Sequence, residues 1–287
     1  MTISRVFIAN RGEIAVRVIR ACKALSIDTV LGVSSADKET MGARLADRVV
    51  CIGPPRSSDS YLNREGIITT ALATECDAVH PGYGFLSEDA EFARLCQENG
   101  LIFVGPTPEN IRRMGNKLEA RALAKKFNVP LAEGSARLYS SDEALETAEQ
   151  VGYPILLKAA AGGGGRGIRV VDAPEKLKAA FEGASAEAAA AFGDGAMFME
   201  RYIGNARHVE VQILADNHGN VIHLGERDCS LQRRYQKMLE ESPAPGLTDQ
   251  LRKQIHESAV TLAKNIGYVS AGTVEFIVDM DRSQFYF

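Results

Sequence analysis

The stretch Pro154-Ile155-Leu156-Leu157-Lys158-Ala159-Ala160-Ala161-Gly162-Gly163-Gly164-Gly165-Arg166-Gly167 constrains this chain more than any other. A short apolar run with one lysine near its end feeds a loop in which five of the six residues 162–167 are glycine. The apolar run reads as a strand of one small sheet. Serial glycines let the backbone take positive φ and approach a ligand with no Cβ in the way. Their N–H groups can converge on an anion, and Arg166 adds positive charge beside them. Ile168-Arg169-Val170-Val171 reads as the return strand, which makes the loop a hairpin flap. It is neither GxxxxGK[ST], since no Lys-Ser or Lys-Thr follows, nor GxGxxG, since no helix opens after it. Two readings stand. One is a mobile surface loop with no ligand; the other is a flap over a phosphate, which would also partner a lysine buried in a strand.

A length of 287 residues suits two or three domains. With 45% hydrophobic and 24% charged residues the composition is that of an ordinary globular protein. A net charge of −4 argues against a general nucleic-acid or anionic-membrane surface, so neither partner is expected. The five cysteines, 22, 51, 76, 96 and 229, show no CxxC pairing and read as reduced thiols of a cytoplasmic protein. Met1 leads directly into a strand, and no run of 18 apolar residues occurs. Gln284-Phe285-Tyr286-Phe287 has strand character and the sequence stops inside it. An unpaired apolar sheet edge is unusual at the end of a domain, so a fragment of a longer protein is expected.

The first 105 residues alternate strands with amphipathic helices. Residues 5–9 form an apolar strand, Asn10-Arg11-Gly12 turns, and Ile14, Val18, Ala21 and Leu25 stripe a helix before a second strand at 29–33. Strands at 48–52, 78–79 and 101–104 and helices near 64–75 and 89–99 continue the pattern. Such βαβ units predict an α/β fold with a parallel sheet covered on both faces. Ligands of these sheets sit beyond the carboxyl ends of strands, where two loops stand: Asn10-Arg11-Gly12-Glu13 and His80-Pro81-Gly82-Tyr83-Gly84-Phe85-Leu86-Ser87-Glu88. They either bind something or are simply tied together by a pair such as Arg11–Glu88.

A helical linker over 106–130 carries Lys117 between two helices, pointing into a cleft or to solvent. Residues 131–203 read as a small α+β domain with helices after Ser141 and over 174–191. Its last strand, Ala196-Met197-Phe198-Met199-Glu200-Arg201-Tyr202-Ile203, ends at a domain edge where backbone groups could read a purine. A third region spans 204–287. Over 207–215, Val209, Val211 and Ile213 face one way and His208, Glu210, Gln212 and Leu214 the other. His208 is a hydrogen-bonding strand residue or a catalytic one. Over 226–237, four cationic residues accompany two acids without hydrophobic period, which suits an anionic ligand or a solvated ionic loop. A helix over 249–266 precedes a strand at 273–278 that presents Glu275 opposite Val274, Phe276 and Val278. A carboxylate near phosphates is most simply a Mg²⁺ ligand.

These residues together resemble the biotin carboxylase component of biotin-dependent carboxylases (acetyl-CoA, propionyl-CoA, methylcrotonyl-CoA or pyruvate carboxylase), within the ATP-grasp family. The likeness runs from Ile8-Ala9-Asn10-Arg11-Gly12-Glu13-Ile14-Ala15 through the His80–Glu88 loop, Met114-Gly115-Asn116-Lys117 and residues 158–167. It ends in Glu226-Arg227-Asp228-Cys229-Ser230 and Glu240-Glu241-Ser242-Pro243-Ala244-Pro245. It implies an ATP-grasp fold preceded by a Rossmann-like biotin carboxylase N-terminal domain. Residues 131–203 would be the small lid subdomain and 204–287 a truncated start of the large one. The implied activity is ATP- and Mg²⁺-dependent carboxylation of carried biotin with bicarbonate through carboxyphosphate, with Mn²⁺ as an alternative metal.

By the same resemblance Lys117 and Lys158 hold nucleotide phosphates, and Gly162, Gly163, Gly164, Gly165, Arg166 and Gly167 close over them. Glu200 and the backbone of Arg201, Tyr202 and Ile203 read adenine; His208 and Gln232 approach the ribose or phosphates. Glu275 binds metal, and Lys237 is the catalytic residue that places bicarbonate. Tyr235 stands where many relatives have histidine, and a phenol carries no positive charge at neutral pH. The second metal-binding glutamate and the bicarbonate base of the family would lie beyond Phe287. The resemblance further implies a biotin carboxyl carrier and a carboxyltransferase as partners, and a homodimer. The alternatives are a nucleotide-binding fragment without turnover and another ATP-grasp ligase, such as a carbamoyl-phosphate-forming one.

Overall fold

Strand β1 (Arg5–Ile8) is apolar on both faces because both are covered: Val6, Phe7 and Ile8 are each at most 4% exposed. In a computed structural model, which describes residues 2–160, 167–233 and 236–287, it is the middle strand of a five-stranded parallel sheet. The chain divides into two units, Met1–Arg112 and Arg113–Phe287. In the first, β1 is followed by α1 (Gly12–Ala24), β2 (Asp28–Ser34), α2 (Met41–Leu45), β3 (Arg48–Gly53), α3 (Arg64–Ala73), β4 (Ala78–His80), α4 (Ala90–Glu98) and β5 (Ile102–Phe103). The sheet order is β3-β2-β1-β4-β5. Val6 and Ile8 pack with Ala15, Val18, Ile19 and Cys22 of α1. Phe7 packs on the other side with Ile67 and Ala71 of α3 and Phe92 and Cys96 of α4. This is the doubly wound α/β sheet expected from the alternating elements. Burying each large side chain contributes about 1.5–3 kcal/mol. The five-residue α2 has no sequence signal, because barely more than one turn cannot display a helical period.

The strand order reverses between β1 and β4, so their carboxyl ends open the crevice where such sheets bind ligands. The two loops there are tied as expected, but by other residues than Arg11 and Glu88. Asn10 Nδ2 donates to the carbonyls of Pro81 (2.7 Å) and Tyr83 (2.8 Å), and the Tyr83 hydroxyl donates to Glu13. Arg11 lies 3.6 Å from Asp37 instead and covers the rings of Tyr61 and Phe85. Gly82 has φ +66, and a Cβ there would fall 2.7 Å from Asn10 Nδ2, so no other residue fits beside this bond.

Helix α5 (Pro108–Gly115) leads into the second unit, which continues with α6 (Lys117–Lys126), α7 (Ser141–Val151), β6 (Ile155–Ala159), β7 (Arg169–Val171), α8 (Pro174–Phe192) and β8 (Met197–Arg201). Then come β9 (Ala206–Ala215), β10 (Val221–Arg233), β11 (Gln236–Glu241), α9 (Asp249–Asn265), β12 (Ser270–Asp279) and β13 (Gln284–Tyr286). Three strands form an antiparallel sheet, β7-β6-β8, backed by α7 and α8 through Ala144, Ala148, Leu177, Phe181 and Ala184. Five form a second antiparallel sheet, β11-β10-β9-β12-β13.

On the larger sheet Val209, Val211, Ile213, Val274, Phe276 and Val278 meet Leu251, Ile255, Ala259 and Leu262 of α9 and Leu123 of α6. Helix α9 starts where it does because the Thr248 hydroxyl accepts from Leu251 N at 3.2 Å, a cap worth about 1 kcal/mol. Of the two readings of residues 226–237, the solvated ionic loop does not hold for the described residues. Residues 226–233 lie within β10, and Gln236 and Lys237 open β11. Period two is hidden there because buried ion pairs, rather than apolar side chains, occupy the covered positions. Phe285 is 7% exposed and packs edge-on against Phe276, while Phe287 N donates to Pro130 O at 2.8 Å. Phe285 of the final strand is thus covered.

Candidate functional site

Antiparallel pairing of β6 with β8 sets Leu156 opposite Glu200 and Lys158 opposite Phe198. Lys158 leans over the Phe198 ring, 5.9 Å from its centroid, and its ammonium reaches Glu200 Oε2. Glu200 is held on its other oxygen by Arg121 of α6, whose Nη2 also donates to Ala132 O at 3.1 Å. Lys117, the first residue of α6, has its pKa lowered chiefly by burial and then by Lys158, with Glu200 and Glu275 opposing. Asn116 caps α6 by accepting from Leu118 N and Glu119 N at 3.1 Å each. The cap sets the helix start that orients Lys117.

The polar face of the larger sheet supplies the rest. Glu210 on β9 pairs directly with Glu275 on β12 and with Arg227 on β10. Two carboxylates side by side on adjacent strands repel. Lys237, from β11, bridges them, reaching Glu210 Oε2 and lying 2.5 Å from Glu275 Oε1. Arg227 Nε adds 2.6 Å to Glu210 Oε1, and its Nη2 donates to Gln212 Oε1 at 3.0 Å. Burial alone would push the Glu210 carboxyl up, but Lys237 and Arg227 outweigh it and hold the pKa below the ordinary range. Burial likewise opposes the Lys237 ammonium, and its bonds to Glu210 and Glu275 overcome that and raise its pKa. Lys237 is therefore a fixed positive charge at neutral pH and cannot act as a base.

His208 is open to solvent by area yet surrounded by protein at longer range. That desolvation lowers its pKa; Glu275 opposes, while Lys158 and Lys237 add to the lowering. His208 thus presents a neutral imidazole. Gln232 Nε2 is engaged with Cys229 O at 2.9 Å. Lys117, Lys158, Glu200, His208, Lys237 and Glu275 therefore share one neighbourhood, and Tyr202 and Ile203 follow β8 immediately. Gly167 is placed by its carbonyl, which accepts from Ala159 N at 3.1 Å. Gly162, Gly163, Gly164, Gly165, Arg166 and Tyr235 lie outside the described residues.

The sequence reading passed over Glu210 as a site residue although it put it on the polar face, and it missed Arg121. The signal for Arg121 is its spacing of four from Lys117, one helical turn on the same face. Two other features compete for attention and carry no site. Glu210, Cys229 and Glu240 could by distance surround a metal, but Glu210 is committed to two cations and burial pushes the Cys229 thiol up to about 12. A cleft of about 820 Å³ between β10 and α9, lined by His223, Arg252, Lys253, His256 and Glu257, contains none of the gathered residues.

Known families divide along the same chain. Residues 2–111 match the biotin carboxylase N-terminal domain, and residues 116–287 match the ATP-binding domain of the carbamoyl-phosphate synthase L chain. The chain belongs to the biotin carboxylase family of ATP-grasp proteins. The first match is what separates this family from carbamoyl-phosphate synthases, which the second match alone would leave open. Among its relatives, biotin carboxylase 1 of Bacillus subtilis (strain 168) is 51% identical over 286 residues, covering 99% of this chain and 64% of the relative. A biotin carboxylase–βγ-ATP complex from Campylobacter jejuni superposes with a TM-score of 0.97 at 48% identity, over 100% of this chain and 64% of that one. The biotin carboxylase domain dimer of Hydrogenobacter thermophilus 2-oxoglutarate carboxylase, with MgADP, ADP and bicarbonate, gives 0.95 at 47% identity, over 100% and 63%. The chain thus spans a little under two thirds of the length of these biotin carboxylases. Among the described residues no helix is long and apolar enough to cross a membrane.

Proposed function

We propose that this chain is the nucleotide-binding portion of a biotin carboxylase, which uses ATP, Mg²⁺ and bicarbonate to carboxylate biotin on a carrier domain through carboxyphosphate. The observation that carries the reading is the convergence of three lysines, Lys117, Lys158 and Lys237, with Glu200 and Glu275, in a chain of this family. Phosphoryl transfer needs charge neutralisation and positioning more than covalent chemistry. Lys117 and Lys158 would hold phosphates under the 162–167 flap. Glu200 and the backbone of Arg201 to Ile203 would read adenine, and His208, Gln232 and Tyr235 would approach the ribose and phosphates. Bicarbonate would be drawn to the fixed charge of Lys237.

Glu275 is the proposed metal ligand. Its side chain is 66% exposed and offers hard oxygen next to the lysines, which suits a Mg²⁺ otherwise held by phosphate oxygens and water. Bound there, Mg²⁺ would neutralise phosphate charge. Lys237, which is also held by Glu210, would stay in place with Glu275 on a metal. The proposed partners are a biotin carboxyl carrier and a carboxyltransferase, the proposed assembly is a homodimer, and five free cysteines support a cytoplasmic setting. The nucleotide-side residues all lie in residues 113–287, which favours nucleotide binding by the chain itself, with turnover proposed for the whole protein. Biotin-stimulated, bicarbonate-dependent ATP hydrolysis by the whole protein is the test. ATP hydrolysis that responds to ammonia and ignores biotin would replace this reading with a carbamoyl-phosphate-forming one.

A further inference from the structure

Arg121 is the second cation on Glu200, and its position says what it is for. It donates to Glu200 Oε1 while Lys158 takes Oε2. Arg121 and Glu200 are closed in, with 13% and 11% of their side chains exposed, whereas Lys158 at 22% is the most open of the three. Arg121 is anchored from behind by Ala132 O at 3.1 Å. Room for the pair comes from Gly134, which bridges to Glu200. A Cβ at Gly134 would fall 2.5 Å from Met199 O, 3.1 Å from Arg121 Nη2 and 3.2 Å from Glu200 Cγ.

The charges then have one consequence. The Lys158 ammonium cannot stay on Glu200 and also turn fully to a phosphate. If Lys158 were the only cation on Glu200, each departure would leave a nearly buried carboxylate uncompensated, a strongly disfavoured state. With Arg121 in place the carboxylate keeps a counterion and its orientation. We infer that Arg121 is a positioning residue that holds Glu200 so that Lys158 is free to engage the phosphates of a nucleotide. The inference rests on the nucleotide reading above and deepens it.

The test is competition against a fluorescent ATP analogue on the 287-residue chain, comparing ATP with adenosine. Adenosine has no phosphate and does not need Lys158. In Arg121→Met the preference for ATP over adenosine should fall about tenfold or more: a loss of adenine contacts through Glu200 lowers both affinities alike and cancels in the ratio, whereas only ATP requires Lys158 to leave Glu200. Arg121→Lys, which keeps the charge, should retain most of the preference. Glu200→Gln removes the charge that needs compensating, so Arg121→Met/Glu200→Gln should match Glu200→Gln alone within about threefold. That comparison also serves if Arg121→Met fails to fold. Equal losses for ATP and adenosine in Arg121→Met, or a double variant that stays worse than Glu200→Gln, would overturn the inference and leave the nucleotide reading standing. A wild-type chain that binds ATP no better than adenosine would overturn both.

Discussion

Lys237 and Glu275 are each other's counterions: Nζ lies 2.5 Å from Oε1, although they come from strands β11 and β12 at separate places in the sheet. The group proposed to draw in bicarbonate and the group proposed to bind metal are therefore coupled before either ligand arrives. A metal on Glu275 would compete with the Lys237 ammonium for the same carboxylate, while Lys237 also has Glu210.

That coupling gives a mutation with separable effects. Glu275 is two thirds exposed, so Glu275→Gln should change the unfolding free energy by less than about 1 kcal/mol. In the whole protein it should raise the Mg²⁺ concentration needed for half-maximal ATPase by about tenfold. A metal titration of the ATPase checks this. An unchanged midpoint would make Glu275 a structural partner of Lys237 and nothing more.

Glu210 should behave in the opposite way. It is 6% exposed and compensates both Lys237 and Arg227, which are themselves about a third exposed. Glu210→Gln should cost about 1–2 kcal/mol of stability, reduced from the fully buried case because both cations can reach water. Urea unfolding measures it, and wild-type stability in the variant would show that the network is dispensable.

Much of this arrangement was legible in the sequence, and the parts that were not have physical reasons. The alternation in β9 put Val209, Val211 and Ile213 on one face and His208 and Glu210 on the other because an amphipathic strand has a period of two. Lys158 was legible because a lone cation in an apolar strand demands a partner. The partner in the structure is Glu200, 42 residues on and visible only once β6 and β8 pair. The 226–237 stretch shows no strand period in the sequence because its covered positions include Glu226 and Asp228, whose ion-pair partners Arg252 and Arg207 lie outside it. Arg11 could not be matched to Asp37 from local sequence, since the parallel order of β1 and β2 brings them together.

Glu226 supplies a dependence on pH. Its side chain is 2% exposed and accepts from Arg252 Nε at 2.8 Å and Ala244 N at 3.2 Å, with His256 Nε2 at 2.5 Å from its other oxygen. Burial opposes the carboxylate, but these partners win and hold its pKa below the ordinary glutamate value. A depressed carboxyl stabilises the fold above its unfolded pKa, about 4.3, and that stability disappears as pH falls through the folded value. Thermal melts of wild type and Glu226→Gln should therefore be furthest apart near pH 7 and converge below about pH 4. A gap that widens on acidification would contradict the assignment.

The central claim is that Lys158 faces the phosphates of a bound nucleotide, and calorimetry of ATP binding to three forms of the chain tests it most directly. Lys158→Ala removes the ammonium that sits on Glu200. Lys176→Ala removes an exposed one that pairs with Asp172 at 2.8 Å, one turn away. The expected result is a loss of about tenfold or more in ATP affinity for Lys158→Ala, and wild-type affinity for Lys176→Ala. Equal ATP affinity in the two variants would contradict the account.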